Sequence, residues 1–321
     1  MIEPAGVDVL PQAATRGTWE PPDRRRVLQL ALAAVWLLDA VLQLQPFMFS
    51  RAFGPTMLGP TAQGNPGLIA RPITDVSRSI GLHSVGFNTA FVVIQFLIAF
   101  GIAHRPTIRL ALAGSVVWAV LVWWLGEGLG GVLAGSASPL TGAPGAVILY
   151  AVLAVLLWPS TGGASAPPFI AAWPVGVRPA KVIWVAIWGT LAGLALFGST
   201  SRHAASLISS MSVGEPRWLA ELDRHAADAV TGRGLAVALI AGLLLACVAL
   251  GVFLPSRPAR VLMVAAVVVA LVIWIVGEDF GQLFSGSATD PNSGPLLVLL
   301  AAAYWPIRRR AAGRPDAMAT C

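Results

Sequence analysis

Trp123-Trp-Leu-Gly-Glu127 runs on into GEGLGGVLAGSASPLTGAP, and Trp274-Ile-Val-Gly-Glu278 runs on into GEDFGQLFSGSATDPNSGP. Each stretch ends a long apolar run with a carboxylate and a glycine-rich turn. The chain therefore reads as an internal duplication, and the two copies have kept the same acid at the same place.

Outward from these segments, composition sets the class. The 321 residues are 56% hydrophobic and only 11% charged, whereas soluble domains carry about a quarter charged residues. Several uncharged runs reach the roughly 18–20 residues needed to cross a bilayer. The expected fold is all-α: a polytopic membrane protein with about eight transmembrane helices, near 27–46, 84–104, 109–134, 145–158, 181–198, 234–254, 260–277 and 295–307. Four spans per copy is an even number, so both copies enter the membrane from the same side as parallel repeats. The predicted organisation is a cytoplasmic tail (1–26), membrane repeat 1 (27–159), a Pro/Gly-rich linker (160–180), membrane repeat 2 (181–307) and a cytoplasmic tail (308–321). The fourth span of each copy ends in Trp-Pro, at Trp158-Pro159 and Trp305-Pro306. Tryptophan favours the headgroup level and proline stops helices, so both pairs mark an interface.

The net charge of +6 comes mostly from arginines at the ends of apolar runs. They set orientation and form no basic patch for nucleic acid. With the N-terminus inside, basic residues fall two to one on the cytoplasmic side, among them Arg24, Arg25, Arg26, Arg105, Arg109, Arg257 and Arg260. This predicts a multi-pass plasma-membrane protein with both termini cytoplasmic. Arginine outnumbers the single Lys181, and Ala, Gly and Val are abundant, as in GC-rich bacterial genomes. Cys247 and Cys321 form no motif, so thiol redox chemistry and a disulfide framework are not expected.

The two long outer connections also match. Gly64-Asn65-Pro66 and Gly214-Glu215-Pro216 each precede an amphipathic pattern. Ile69, Ile73, Val76 and Ile80 share one helical face, as do Trp218, Leu219, Leu222, Ala226 and Val230. Two short extracytoplasmic helices are predicted, either covering helix ends or gating a cavity beneath them.

Glu127 lies eighteen residues after Arg109, and Glu278 eighteen after Arg260. That is about 27 Å along a helix, near the outer edge of the hydrocarbon. Gly126 and Gly277 precede the acids and allow close helix approach. In a structural role, each Glu accepts hydrogen bonds from its glycine-serine turn, Gly135-Ser136 or Gly286-Ser287, and pins a loop. In a functional role, it faces a ligand or carries a proton.

Asp39 lies deeper. Within the first span a carboxylate costs about 2.5–3.5 kcal/mol on insertion scales, so it needs partners. Gln43 follows one turn on, and His83, Asn88 and Glu127 fall at similar inferred depth. The aligned positions in the second copy are Leu191 and Ala195. The polar group is either a ligand or proton site confined to the N-terminal half or a buried network that specifies packing. A lone His among amides and carboxylates suits proton relay or a quinone-like head group better than a metal, and no metal site is expected. His104 stands at the opposite end of its span, and His203 and His225 lie in the outer connection. Ser136 and Ser287 recur without a repeated His, so a hydrolytic triad is not supported, and no phosphate-binding glycine motif appears. No catalytic set and no cofactor can be named.

The expected function is binding or transport of a small ligand or ion in an outward-facing pocket of repeat 1. The alternatives are a quinone-linked electron-transfer accessory subunit and a membrane scaffold or assembly protein without ligand. Expected partners are the lipid bilayer and either another membrane protein or a second copy.

The first span, Trp36-Leu-Leu-Asp-Ala-Val-Leu-Gln43, followed by Gln45-Pro-Phe-Met-Phe49, resembles small four-helix membrane proteins of the DoxX-like group. Gln43 and Gln45 replace the glycine and lysine of that group. The whole also resembles duplicated actinobacterial membrane proteins of uncharacterised function. The DoxX-like resemblance implies association with quinone-linked or redox-stress membrane complexes.

Overall fold

A computed structural model describes residues 23–160, 167–198, 200–211 and 215–307. The two predicted tails apart from Asp23–Arg26, residues 161–166 of the linker, and Gly214 lie outside the described residues. Among the described residues all regular structure is helical, in the order α1 (Arg24–Leu42), α2 (Gly67–Leu82), α3 (Ser84–Ala103), α4 (Ile108–Leu125), α5 (Ala146–Leu156), α6 (Ala172–Val175), α7 (Val177–Phe197), α8 (Thr200–Met211), α9 (Arg217–Val230), α10 (Gly234–Leu250), α11 (Ser256–Val272) and α12 (Ser293–Ala303).

Five segments, containing α3, α4, α7, α10 and α11, are long and apolar enough to cross a membrane. Their outer faces present Phe100, Leu110, Ile240, Leu243 and Val261, all exposed, far more apolar surface than a soluble monomer shows. Helix α1 has similar length but carries three arginines and Asp39. The predicted fourth spans form only the eleven-residue helices α5 and α12, about 16 Å long against a hydrocarbon core of about 30 Å.

The two short helices form the centre. They pack on each other, with α1 and α4 or α11 around them, and most of their side chains are buried. A helix apolar on every side belongs inside protein. Long aromatic side chains tie the ring of helices to this centre: Trp36 packs at a tilt against Tyr150 (centroids 4.3 Å), and Trp184 against Tyr304 (4.7 Å). Polar caps close the helix ends on the side where α1 begins. Arg26 donates to the Ile102 and Ala103 carbonyls at the end of α3, and Gln29 donates to the Leu157 carbonyl after α5 (2.8 Å), satisfying carbonyls that a helix terminus leaves unpaired.

The third predicted span stops at Leu125 rather than 134. Gly128, Leu129, Gly130 and Gly131 all take positive φ, and so do Asp279, Phe280, Gly281 and Gln282, a left-handed run that no α-helix continues through. Both predicted amphipathic helices are present as α2 and α9, and α8 adds a helix that the pattern did not announce. In α2 the buried positions include Ile73 and Ile80. In α9 they are Leu219, Asp223 and Ala227, with Trp218 and Leu222 exposed.

Candidate functional site

A cavity of about 400 Å³ opens in the N-terminal half. Helix α1 contributes Trp36, Asp39 and Gln43, spaced three and four residues apart on one face. Helix α3 contributes Phe87, Phe91 and Gln95 on the same principle, α4 contributes Trp118 and Val122, and α5 contributes Val147 and Tyr150. Phe53, Met57 and Leu58, from the irregular turns after α1, roof it together with Val76 and Ile80 of α2. Those turns and α2 form a small apolar cluster around Met48, Phe53 and Ile80.

Three carboxyl groups reach this cavity: Asp39, Glu127 and Asp290. Asp290 belongs to the repeated glycine-serine segment of the C-terminal half. It is held by bonds from the Asn292 backbone N–H (2.8 Å) and the Thr289 hydroxyl (2.9 Å). Gln45 brings the two halves together here, donating to the Ala288 carbonyl at 3.0 Å. Asp39 is 2% exposed, Gln43 5% and Gln95 7%, and both glutamines keep an oxygen without a hydrogen-bond partner. The Tyr150 hydroxyl lies beside the Asp39 carboxyl and interacts with it.

Glu127 stands at a boundary. One oxygen accepts the Val147 backbone N–H at the start of α5 (3.1 Å), and the other is buried without a partner. The same residue lines a second, more polar cavity of about 280 Å³ with Thr61, Ser136, Thr141 and Asn292. Burial, then the nearby charge of Asp290, pushes the Glu127 carboxyl up to about 8.

Glu278 is built alike at the start of α12, accepting from the Ser293 hydroxyl and the Gly294 N–H (3.1 Å). Burial pushes it up to about 7 against the pull of those donors. The indoles repeat as well: Trp123 donates to the Pro144 carbonyl (2.6 Å) and Trp274 to the Pro291 carbonyl (2.7 Å). The glycine-serine turns were the expected donors to these acids, but the carboxylates reach past them to the following helix, where a first turn offers free N–H groups and a favourable dipole. Close packing explains the glycines: a side-chain carbon at Gly277 would press on Leu140, and one at Gly126 on Val122. At Gly135 and Gly286 the positive φ itself is the reason.

The predicted group is brought together only in part. Asp39, Gln43 and Glu127 share the cavity. His83 is exposed at the α2–α3 junction and does not line it. Asn88 is fully buried and donates to the Gln43 carbonyl at the end of α1 (2.7 Å), a capping role. Gln95, Tyr150 and Asp290 were not anticipated. Asp290 carried a signal, being an acid inside the repeated segment with no counterpart in the first copy. Leu191 and Ala195 are buried in the apolar core, so the second half has no matching group. Among the described residues no group of three or more His, Cys, Asp or Glu side chains is placed to hold a metal ion.

Family models, curated proteins and solved structures give no match to this chain.

Proposed function

We propose that the protein binds a small ligand or ion in the cavity of its N-terminal half and exchanges it with the outer side of the membrane. The observation that carries this reading is the position of Glu127, a wall residue of both the inner cavity and the polar outer one. A titratable group between an aqueous vestibule and an apolar chamber is where a ligand or proton is passed on. The turns at 46–62 and α2 act as the lid, since their side chains make the roof.

The reading includes two parallel four-helix repeats, eight crossings in the plasma membrane, with both termini cytoplasmic. It is supported by the matched Trp123–Pro144 and Trp274–Pro291 bonds, the matched capping acids and the matched left-handed turns. Helices α5 and α12 complete their crossings with the loops that precede them, which is acceptable in a bilayer where irregular backbone is enclosed by protein.

The test is directional labelling. Gln95→Cys, placed in a chain with Cys247→Ser and Cys321→Ser, is treated in sealed vesicles with a membrane-impermeant thiol reagent. Labelling from the side bearing α2 and α9 is expected. Protection from both sides, or labelling from the opposite side alone, overturns the reading.

A further inference from the structure

Resting on that binding reading, we infer that the ligand is an amphipathic organic cation, an alkylammonium group on an aromatic or branched apolar body. The charged end is specified by what faces it. Asp39, Glu127 and Asp290 line the cavity together, and among the described residues lining it there is no Lys, Arg or His. Asp290 is close enough for its charge to bear on both Asp39 and Glu127, so ionising these carboxyls together is costly in a wall of low polarity. A cation among them offsets that cost and favours the ionised form, which a neutral or anionic ligand cannot do.

Burial supplies a second, independent indication. Gln43 and Gln95 are at least nine-tenths buried, line the cavity and each retain an oxygen without a donor. Buried acceptors without donors are costly, and an ammonium brings several N–H donors at once. The apolar end is specified by Trp36, Phe87, Phe91 and Trp118, whose rings can also face a cation. A volume of about 400 Å³ falls in the range of small-molecule sites. A bare divalent ion is a poorer fit, because the carboxyls are not grouped to ligate one centre.

The experiment is calorimetry on the full chain in phosphatidylcholine nanodiscs at neutral pH, with three probes that share one body: 4-phenylbutylamine, 4-phenylbutan-1-ol and 4-phenylbutyrate. The amine should bind at least about tenfold tighter than the alcohol, and the acid should bind least. Asp39→Asn and Asp290→Asn should each weaken the amine by about tenfold and leave the alcohol unchanged; two isosteric variants guard against one failing to fold. With phosphatidylethanolamine added to the nanodisc, loss of amine binding assigns the cation to a lipid headgroup, and retention assigns it to a free amine. Equal or tighter binding of the alcohol or acid overturns the cation assignment and leaves the cavity as a ligand site. Binding of none of the three overturns the assignment and the binding reading together.

Discussion

The Glu127 carboxylate sits 3.1 Å from the Val147 backbone N–H, with its second oxygen buried and unpaired. One side chain thus ends the α4 segment, caps α5 and faces the cavity. Its counterpart Glu278 has both oxygens engaged by Ser293 and Gly294 and does not line that cavity. The same device is wholly structural in one half and borders the cavity in the other.

Removing the cap should therefore cost most where it is complete. Glu278→Ala leaves two buried donors without acceptors and should destabilise by about 1–3 kcal/mol, read as a lower unfolding temperature in detergent. Glu278→Gln keeps an acceptor and should fall between. If alanine and glutamine behave alike, capping is not what holds Glu278.

The left-handed turns make glycine necessary at particular positions. A side-chain carbon at Gly130 would meet the Pro144 carbonyl, and one at Gly281 the Pro291 backbone, at φ of 64° and 72°. Gly135 has φ 71° but open space around it. Gly135→Ala should cost only the backbone strain, about 1–2 kcal/mol, and Gly130→Ala and Gly281→Ala clearly more. Equal thermal shifts for the three would contradict the packing shown.

The carboxyls of Asp223 on α9 and Asp279 after α11 face one another, fully buried. Burial and then the Asp223 carboxyl push Asp279 up to about 8, and burial raises Asp223 as well. Groups held above their ordinary value near 4 favour the protonated folded form. Docking of α9 is therefore strongest below about pH 4 and weakens as pH rises through about 8. Trp218, which packs on Phe280 at 6.3 Å, should report the release by fluorescence, and Asp279→Asn should flatten the pH profile. A Trp218 signal that stays constant as pH rises through about 8 would refute the coupling.

Gln45 links the end of α1 to the segment bearing Asp290 through the Ala288 carbonyl. Gln45→Leu should lower stability by about 1 kcal/mol and weaken ligand binding along with Asp290→Asn. Reduced stability with unchanged binding would show that Asp290 is positioned by Asn292 and Thr289 alone.

Helix class, apolar runs and the paired Glu127 and Glu278 segments were legible in the chain because each depends on local order: hydropathy over a span, or one text repeated. Asp39 and Gln43 could be grouped for the same reason, one turn apart on one helix. The fate of His83 could not be read, since similar depth along two helices says nothing of the direction a side chain takes; it points away, and Asn88 caps α1. Nor could the entry of Asp290 into the opposite half be read, because it depends on the packing of α5 against α12 and on Gln45 crossing to Ala288. Sequence alone determined the helical class, the apolar runs and the repeated acid-bearing segments, through periodicity and composition. Tertiary structure decided which acids share a cavity, because side chains distant in the chain meet only once short buried helices bring two halves together.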